Sequence, residues 1–275
     1  VSQLDGEGRR GSVDSVVTEE PLEIRLGWPG QPPVSVAVVM RTPGHDFELA
    51  AGFLLSEGVY GRSSRPATLA YCVDTALGAA QRYNVVTATL EGPPDRLPGS
   101  RSTPVSSACG VCGTQSLDEV FSPGEEPLAV SAVVPHALVS RLPVLMRGSQ
   151  ALFERTGATH AAGVFSYDGD LLVVREDVGR HNAVDKVLGA RVLGTAEYGD
   201  DVIVATSGRI GFDIVSKAVA GRIPMIVAVG GPSSLAVELA ARAGITVCGF
   251  VRGQRVVVYS TPGRIAELGS TVPVG

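Results

Sequence analysis

The sequence predicts an α/β fold, with a mainly parallel sheet covered by helices and a smaller β-rich N-terminal portion. From Val164 onward, short β-branched runs alternate with helix-forming stretches. That is the pattern of strands buried on both faces and joined by crossover helices. Upstream, the apolar runs are short and broken by Pro and Gly, with no crossover rhythm. At 275 residues, 44 % hydrophobic and 19 % charged, the chain can bury a sizeable core and should be globular. The expected division is a β-rich portion over residues 1–105, a mobile cysteine-loop region over 106–130, and the α/β domain over 131–275.

Residues 22–26 and 34–40 read as strands, separated by a Trp28-Pro29-Gly30 turn and by Pro32 and Pro33. Asp46 is placed to cap a helix over residues 47–57, whose apolar stripe is Phe47, Ala50, Ala51, Leu54 and Leu55. Residues 83–90 alternate like a strand. Residues 92–107 have no periodicity; they carry Pro93, Pro94, Pro98 and Pro104 with Arg96 and Arg101, and lead into Cys109. A structureless stretch of that length inside a compact domain is usually functional or mobile. Residues 137–155 predict a helix broken at Pro143. Strands follow at 164–167 and 171–175, then a helix at 182–193. Strand 202–206 precedes helix 212–220, strand 225–229 precedes helix 235–243, and strands 245–250 and 255–259 close the pattern.

In a parallel sheet, ligands bind beyond the carboxyl ends of the strands, where helix N-termini present free N–H groups. Three strand-to-helix loops are polar and glycine-containing there: Glu176 to His181, Ser207 to Gly211, and Gly230 to Ser234. His181 opens a helix at this edge, and Ser207, Gly230 and Gly231 would line it. Arg180 and Arg209 suit a phosphate. A fourth element, Phe250-Val251-Arg252-Gly253-Gln254-Arg255, is a hairpin with arginines on both sides of Gly253, and paired guanidinium groups suit a pyrophosphate. Ordinary turn and cap chemistry would use the same residue types. Neither GxxxxGK[ST] nor GxGxxG occurs, so no conventional nucleotide fingerprint is present.

A net charge of −5 argues against a general nucleic-acid binder. No apolar run reaches the roughly 18 residues of a membrane-crossing helix, and residues 1–20 lack a signal-peptide pattern, so a cytoplasmic location is expected. The four cysteines are Cys72, Cys109, Cys112 and Cys248, too few and too scattered for a disulfide scaffold. Cys72 and Cys248 lack polar company and read as buried structural thiols.

Cys109 and Cys112 form a CxxC flanked by Gly110 and Gly113. Structural zinc wants four ligands, and no second CxxC exists. A thioredoxin-type exchanger places its CxxC after a strand, whereas this one follows a proline-rich loop. Persulfide transfer needs an exposed thiolate near positive charge, which Arg96, Arg101 and the glycines provide. Spacing alone does not separate persulfide from disulfide chemistry.

Residues 106–118, SSACGVCGTQSLD, resemble the cysteine loop of the FdhD family, the formate dehydrogenase accessory sulfurtransferases. The resemblance continues at Thr159-His160-Ala161-Ala162, at residues 175–189 (REDVGRHNAVDKVLG), 207–218 (SGRIGFDIVSKA) and 224–240 (PMIVAVGGPSSLAVELA), and in the closing hairpin. It implies that Cys109 carries a persulfide taken from a cysteine desulfurase, with Cys112 as its CxxC partner. It implies transfer of that sulfur to the molybdenum cofactor, Mo-bis-molybdopterin guanine dinucleotide, before insertion into formate dehydrogenase. The cofactor-binding stretch would fall on Phe250 to Arg255. The implied fold is a cytidine deaminase-like three-layer sandwich, and homodimers are expected. The deaminase H-x-E…P-C-x-x-C zinc pattern is absent, so deamination is not implied and no metal ligand is assigned. His160 and His181 stand as ligand-binding candidates. Asp177 would contact a guanine or ribose, or cap its helix; Asp213 and Lys217 read as an i,i+4 ion pair.

Overall fold

The computed structural model describes residues 1–6, 8–61, 65–72, 83–97 and 126–266. It begins with an exposed hairpin of β1 (Ser2–Asp5) and β2 (Gly8–Gly11). Strands β3 (Glu20–Trp28), β4 (Gln31–Arg41), β5 (Thr68–Tyr71) and β6 (Val85–Thr89) then form a sheet ordered β4-β3-β6-β5. Pro32 and Pro33 lie inside β4 instead of separating two strands. An edge strand tolerates them because its outer row of N–H groups has no ladder to feed.

Helix α1 (Asp46–Ser56) matches the expected element, but Asp46 does not cap it. The N-cap residue is His45, in left-handed backbone with φ 57° and no side-chain cap bond. Arg41 claims the Asp46 carboxylate instead, donating from Nε and Nη2 at 3.0 and 2.8 Å. A two-pronged, charge-assisted contact with a buried guanidinium outcompetes a single cap bond.

The predicted helix over 137–155 is two helices, α2 (His136–Arg147) and α3 (Ala151–Thr156). Pro143 sits inside α2, and the break falls at residues 148–150. The cause lies outside the segment. Glu176 accepts from the N–H groups of Leu152 and Phe153 at 2.7 and 2.8 Å, anchoring a fresh helix start there.

Six strands build the main sheet: β8 (His160–Ser166), β9 (Leu171–Asp177), β10 (Val202–Thr206), β11 (Met225–Ala228), β12 (Thr246–Arg252) and β13 (Arg255–Ser260). Flanking these six in the chain, β7 (Val134–Pro135) and β14 (Ile265–Ala266) pair separately. The main order is β13-β12-β11-β10-β8-β9. Only the β10–β11 and β11–β12 pairings are parallel. The other three are antiparallel, so the sheet is mixed and not mainly parallel. The two hairpins, β8–β9 and β12–β13, account for two of these, because short connections force antiparallel neighbours. The third, β8–β10, arises because the chain leaving β9 crosses to the far side of β8. Strand direction is nevertheless shared by β9, β10, β11 and β12, and that brings their carboxyl ends to one edge.

Helices cover both faces. Along β10 the side chains alternate: Val202 and Val204 enter one hydrophobic cluster, Ile203 and Ala205 the other. The second cluster packs under Val139, Leu142 and Met146 of α2. The first lies under α4 (Arg180–Leu193), α5 (Phe212–Gly221) and α6 (Ser234–Arg242), and continues into α1 and the N-terminal sheet through Leu22, Ile24, Leu26 and Leu49. One core therefore bridges the expected border between the first portion and the α/β domain. Residues 106–125 of the expected loop region lie outside the described residues.

Helices α1 and α4 cross where glycine meets glycine. A Cβ on Gly52 would stand 1.9 Å from the Asp185 carbonyl oxygen, and one on Gly189 would stand 1.8 Å from that of Glu48. The two backbones touch, so no side chain fits at either position.

Candidate functional site

The carboxyl ends of β9, β10 and β11, at Asp177, Thr206 and Ala228, share an edge with the start of β8 at His160. Backbone bonds knit the loops beyond them. Ser207 N donates to Ala161 O at 3.1 Å, Gly230 N to Gly208 O at 3.2 Å, Ile210 N to Gly231 O at 3.2 Å, and Phe250 N to Gly230 O at 3.1 Å. The expected alignment of three loops and a hairpin on one edge is what the chain forms.

Helix α4 starts at this edge with Gly179 as N-cap, so no side chain caps its first N–H groups. Its first residue, Arg180, runs beside Gly208, and His160 Nδ1 lies 3.3 Å from the Ser207 hydroxyl. That hydroxyl also accepts from Ala161 N at 3.0 Å. Among the buried polar atoms here, Arg180 Nε and His181 Nε2 have no hydrogen-bond partner. Asp213 Oδ2 lies 3.6 Å from His181 Nε2, beyond bonding distance.

Burial, followed by the Arg180 and Lys217 charges, pushes the His181 imidazole down to about 3. It is neutral at pH 7, and the approach to Asp213 is not an ion pair. Burial and then Arg180 also lower His160. Arg180 itself is lowered by burial and by the nearby positive charge of Arg209. Two neutral imidazoles beside two mutually repelling guanidinium groups at a helix N-terminus make a local anion-seeking surface on a chain of net charge −5.

Phe250 supplies the apolar side. It is 48 % exposed, and its backbone is left-handed at φ 51°. Gly231 lies against the ring, where a Cβ would meet Phe250 Cζ at 2.5 Å. A strained, exposed aromatic beside a glycine floor suits stacking of a flat heterocycle. Val251 turns inward, 2 % exposed in the cluster beneath α2. Arg252, Gly253, Gln254 and Arg255 are exposed at the hairpin tip, with Arg252 opposite Arg255. Cys109 and Cys112 lie outside the described residues.

Several expectations for single residues change. Asp177 is wholly buried and not a ligand-facing group: Oδ1 accepts from Gly179 N and Asn182 Nδ2 at 2.8 and 2.9 Å, while Oδ2 meets Lys186 Nζ at 2.7 Å. Lys217 does not pair with Asp213; it donates to both oxygens of buried Asp185 at 2.7 and 2.8 Å. Cys72 is only half-buried, whereas Cys248 is buried as expected, its thiol pushed up to about 12 by desolvation. Sequence reasoning missed Thr42, which bonds the turn between β9 and α4; no local spacing reveals a contact across 135 positions. Among the described residues, no group of three or more His, Cys, Asp or Glu is placed to hold a metal ion. Among them also, no helix is long and apolar enough to cross a membrane.

The sequence pattern of the FdhD/NarQ family matches residues 17–266. The sulfur carrier protein FdhD of Streptomyces coelicolor is 45 % identical over 260 residues, covering 92 % of this chain and 89 % of that protein. The sulfur carrier protein FdhD of Nocardia farcinica is 43 % identical over 265 residues, covering 96 % and 91 %. Among solved structures, a proposed formate dehydrogenase accessory protein from Desulfotalea psychrophila superposes with a TM-score of 0.75 at 26 % identity, covering 97 % of each chain.

Proposed function

The chain belongs to the FdhD/NarQ family, and from that premise we propose that it ferries sulfur as a persulfide on Cys109 to a guanine-dinucleotide molybdenum cofactor held at the sheet edge. As a sulfur carrier, it is an accessory to formate dehydrogenase. In the loading step, the Cys109 thiolate attacks the terminal sulfur of a cysteine desulfurase persulfide. The new S–S bond forms on Cys109 as the desulfurase thiolate leaves. For delivery, the Cys112 thiolate attacks the Cys109 sulfur, the Cys109 S–S bond breaks and the terminal sulfur leaves as sulfide for the cofactor. The two electrons come from the cysteine pair, which is left as a Cys109–Cys112 disulfide for a cellular dithiol to reduce.

One observation carries the binding half of this reading. Arg180 Nε and His181 Nε2 are buried without partners on the same sheet edge as the exposed Phe250. Buried polar atoms left unpaired are costly, and phosphate oxygens would satisfy both while the base stacks on the ring. Ser207, His160, the Gly230-Gly231 backbone and Arg209 complete the cradle, and Arg252 with Arg255 reaches outward for a second phosphate. Val251 contributes through its main chain only. The same reading includes a cytidine deaminase-like sandwich, supported by a sheet with helices on both faces. It also includes a cytoplasmic homodimer.

The test is mass spectrometry after incubation with a cysteine desulfurase and cysteine. One added sulfur mapped to Cys109, absent in Cys109→Ala, is expected. If Cys109→Ala still restores formate dehydrogenase activity in a strain lacking the carrier, the protein is instead a cofactor chaperone.

A further inference from the structure

The cradle's two unpartnered groups sit on consecutive residues, Arg180 and His181, at the first turn of α4. Their position is set by the turn that precedes them, Asp177-Val178-Gly179. That turn is held from 135 positions away. Thr42, at the junction of β4 and α1 and 4 % exposed, commits every polar group it has to the turn or its anchor. Its N–H donates to Asp177 Oδ2 at 3.1 Å, its Oγ1 accepts from Val178 N at 3.0 Å, and its carbonyl accepts from Lys186 Nζ at 3.0 Å. Asn182 closes the frame by donating to Met40 O at 2.7 Å.

We propose that Thr42 is a positioning residue for the anion cradle, fixing the β9–α4 turn so that Arg180 and His181 face the site. The inference rests on the binding reading above and extends it to the N-terminal sheet. The β9–α4 turn is held only in part by its own residues, through Asp177 Oδ1. Gly179 gives α4 no side-chain cap, and Asp177 has one oxygen on its own turn and one on Thr42 N and Lys186. Val178 N has no local acceptor, and the Thr42 hydroxyl supplies one from another element. Small displacements of a binding constellation cost large factors in affinity, and the residues that orient contact groups typically matter by tenfold or more.

Thr42→Val keeps the shape and both main-chain bonds but removes the acceptor for Val178 N. With guanosine diphosphate as probe, Kd is expected to rise about tenfold, and Thr42→Ser should restore it. In parallel, the His181 imidazole, followed by NMR, should titrate closer to its ordinary value in Thr42→Val as the turn loosens. An unchanged Kd together with an unmoved His181 titration overturns the proposal, even if the melting temperature falls. If Thr42→Val does not fold, hydrogen exchange on the wild-type chain decides. The amides of Val178 and Gly179 should be protected alongside the Thr42 amide and gain protection together on nucleotide addition; independent exchange overturns the clamp. Failure of wild-type protein to bind the nucleotide would sink the binding reading alone, since the His181 titration tests the clamp without ligand.

Discussion

Two polar regions lie one helix apart and are built on opposite principles. Behind α4, the ionic groups are closed upon themselves. Lys217 meets Asp185 at 2.7 Å, Lys186 meets Asp177 at 2.7 Å, and Asp185 also accepts from the Ser56 hydroxyl. At the N-terminal end of the same helix, Arg180 and His181 leave buried nitrogens open. A buried charge is tolerated when paired and hydrogen-bonded, so the first region is complete as folded. The second is left incomplete by the fold itself. The difference separates buried polar groups that hold the fold together from buried polar groups that the fold leaves unpaired.

The comparison can be broken from either side. The largest effect is expected at the helix crossing: Gly189→Ala would drive a methyl group into the Glu48 carbonyl. The helix preference for alanine, about 1 kcal/mol, cannot offset a backbone clash. The variant should lose more than about 4 kcal/mol, read as loss of a cooperative melt by circular dichroism. Next, Lys217→Met leaves the Asp185 carboxylate buried without a counter-charge, and should cost about 3–5 kcal/mol in chemical denaturation. Pairing it with Asp185→Leu should recover much of that loss; no recovery would mean the pair is not an isolated closed unit.

The open region predicts a pH signature of its own. The His181 imidazole is depressed to about 3 in the fold, against about 6.5 when unfolded. Between those values the unfolded chain binds the extra proton, so stability must fall as pH drops from about 6.5 towards 3. The slope is at most about 1.4 kcal/mol per pH unit, and His181→Gln should flatten it in denaturation curves at pH 4, 5 and 7. The smallest effect is at Phe250. Phe250→Ala should weaken guanosine diphosphate binding by about 1–3 kcal/mol, measured calorimetrically, with little change in melting temperature because the ring is half exposed. A large fall in melting temperature instead would make Phe250 part of the core.

Much of the α/β half was legible because its cause is local. β10 runs from Val202 to Thr206 as the β-branched run implied, and Ser207, Gly230 and Gly231 gather at one edge because four strands share a direction. What stayed hidden depends on partners far away in sequence. Periodicity carries no information about strand direction, so the antiparallel pairing of β8 with both β9 and β10 was not visible, whereas the β12–β13 hairpin was, through its Gly253 turn. Asp46 looked like a cap because nothing in a capping pattern announces Arg41 as a competitor. The end of α2 was assigned to Pro143, whereas Glu176, beyond the next strand, sets the start of α3. Lys217 was matched to its neighbour on the helix instead of to Asp185 across it.

The bare contact between Gly52 and Gly189 has a practical corollary for anyone wishing to shrink or graft this carrier. Stripped of residues 46–56, the helix bearing Arg180 and His181 would show a strip of naked main chain that no ordinary solvent-facing helix presents. The smallest transplantable unit is therefore the crossed pair, moved together as a single cassette.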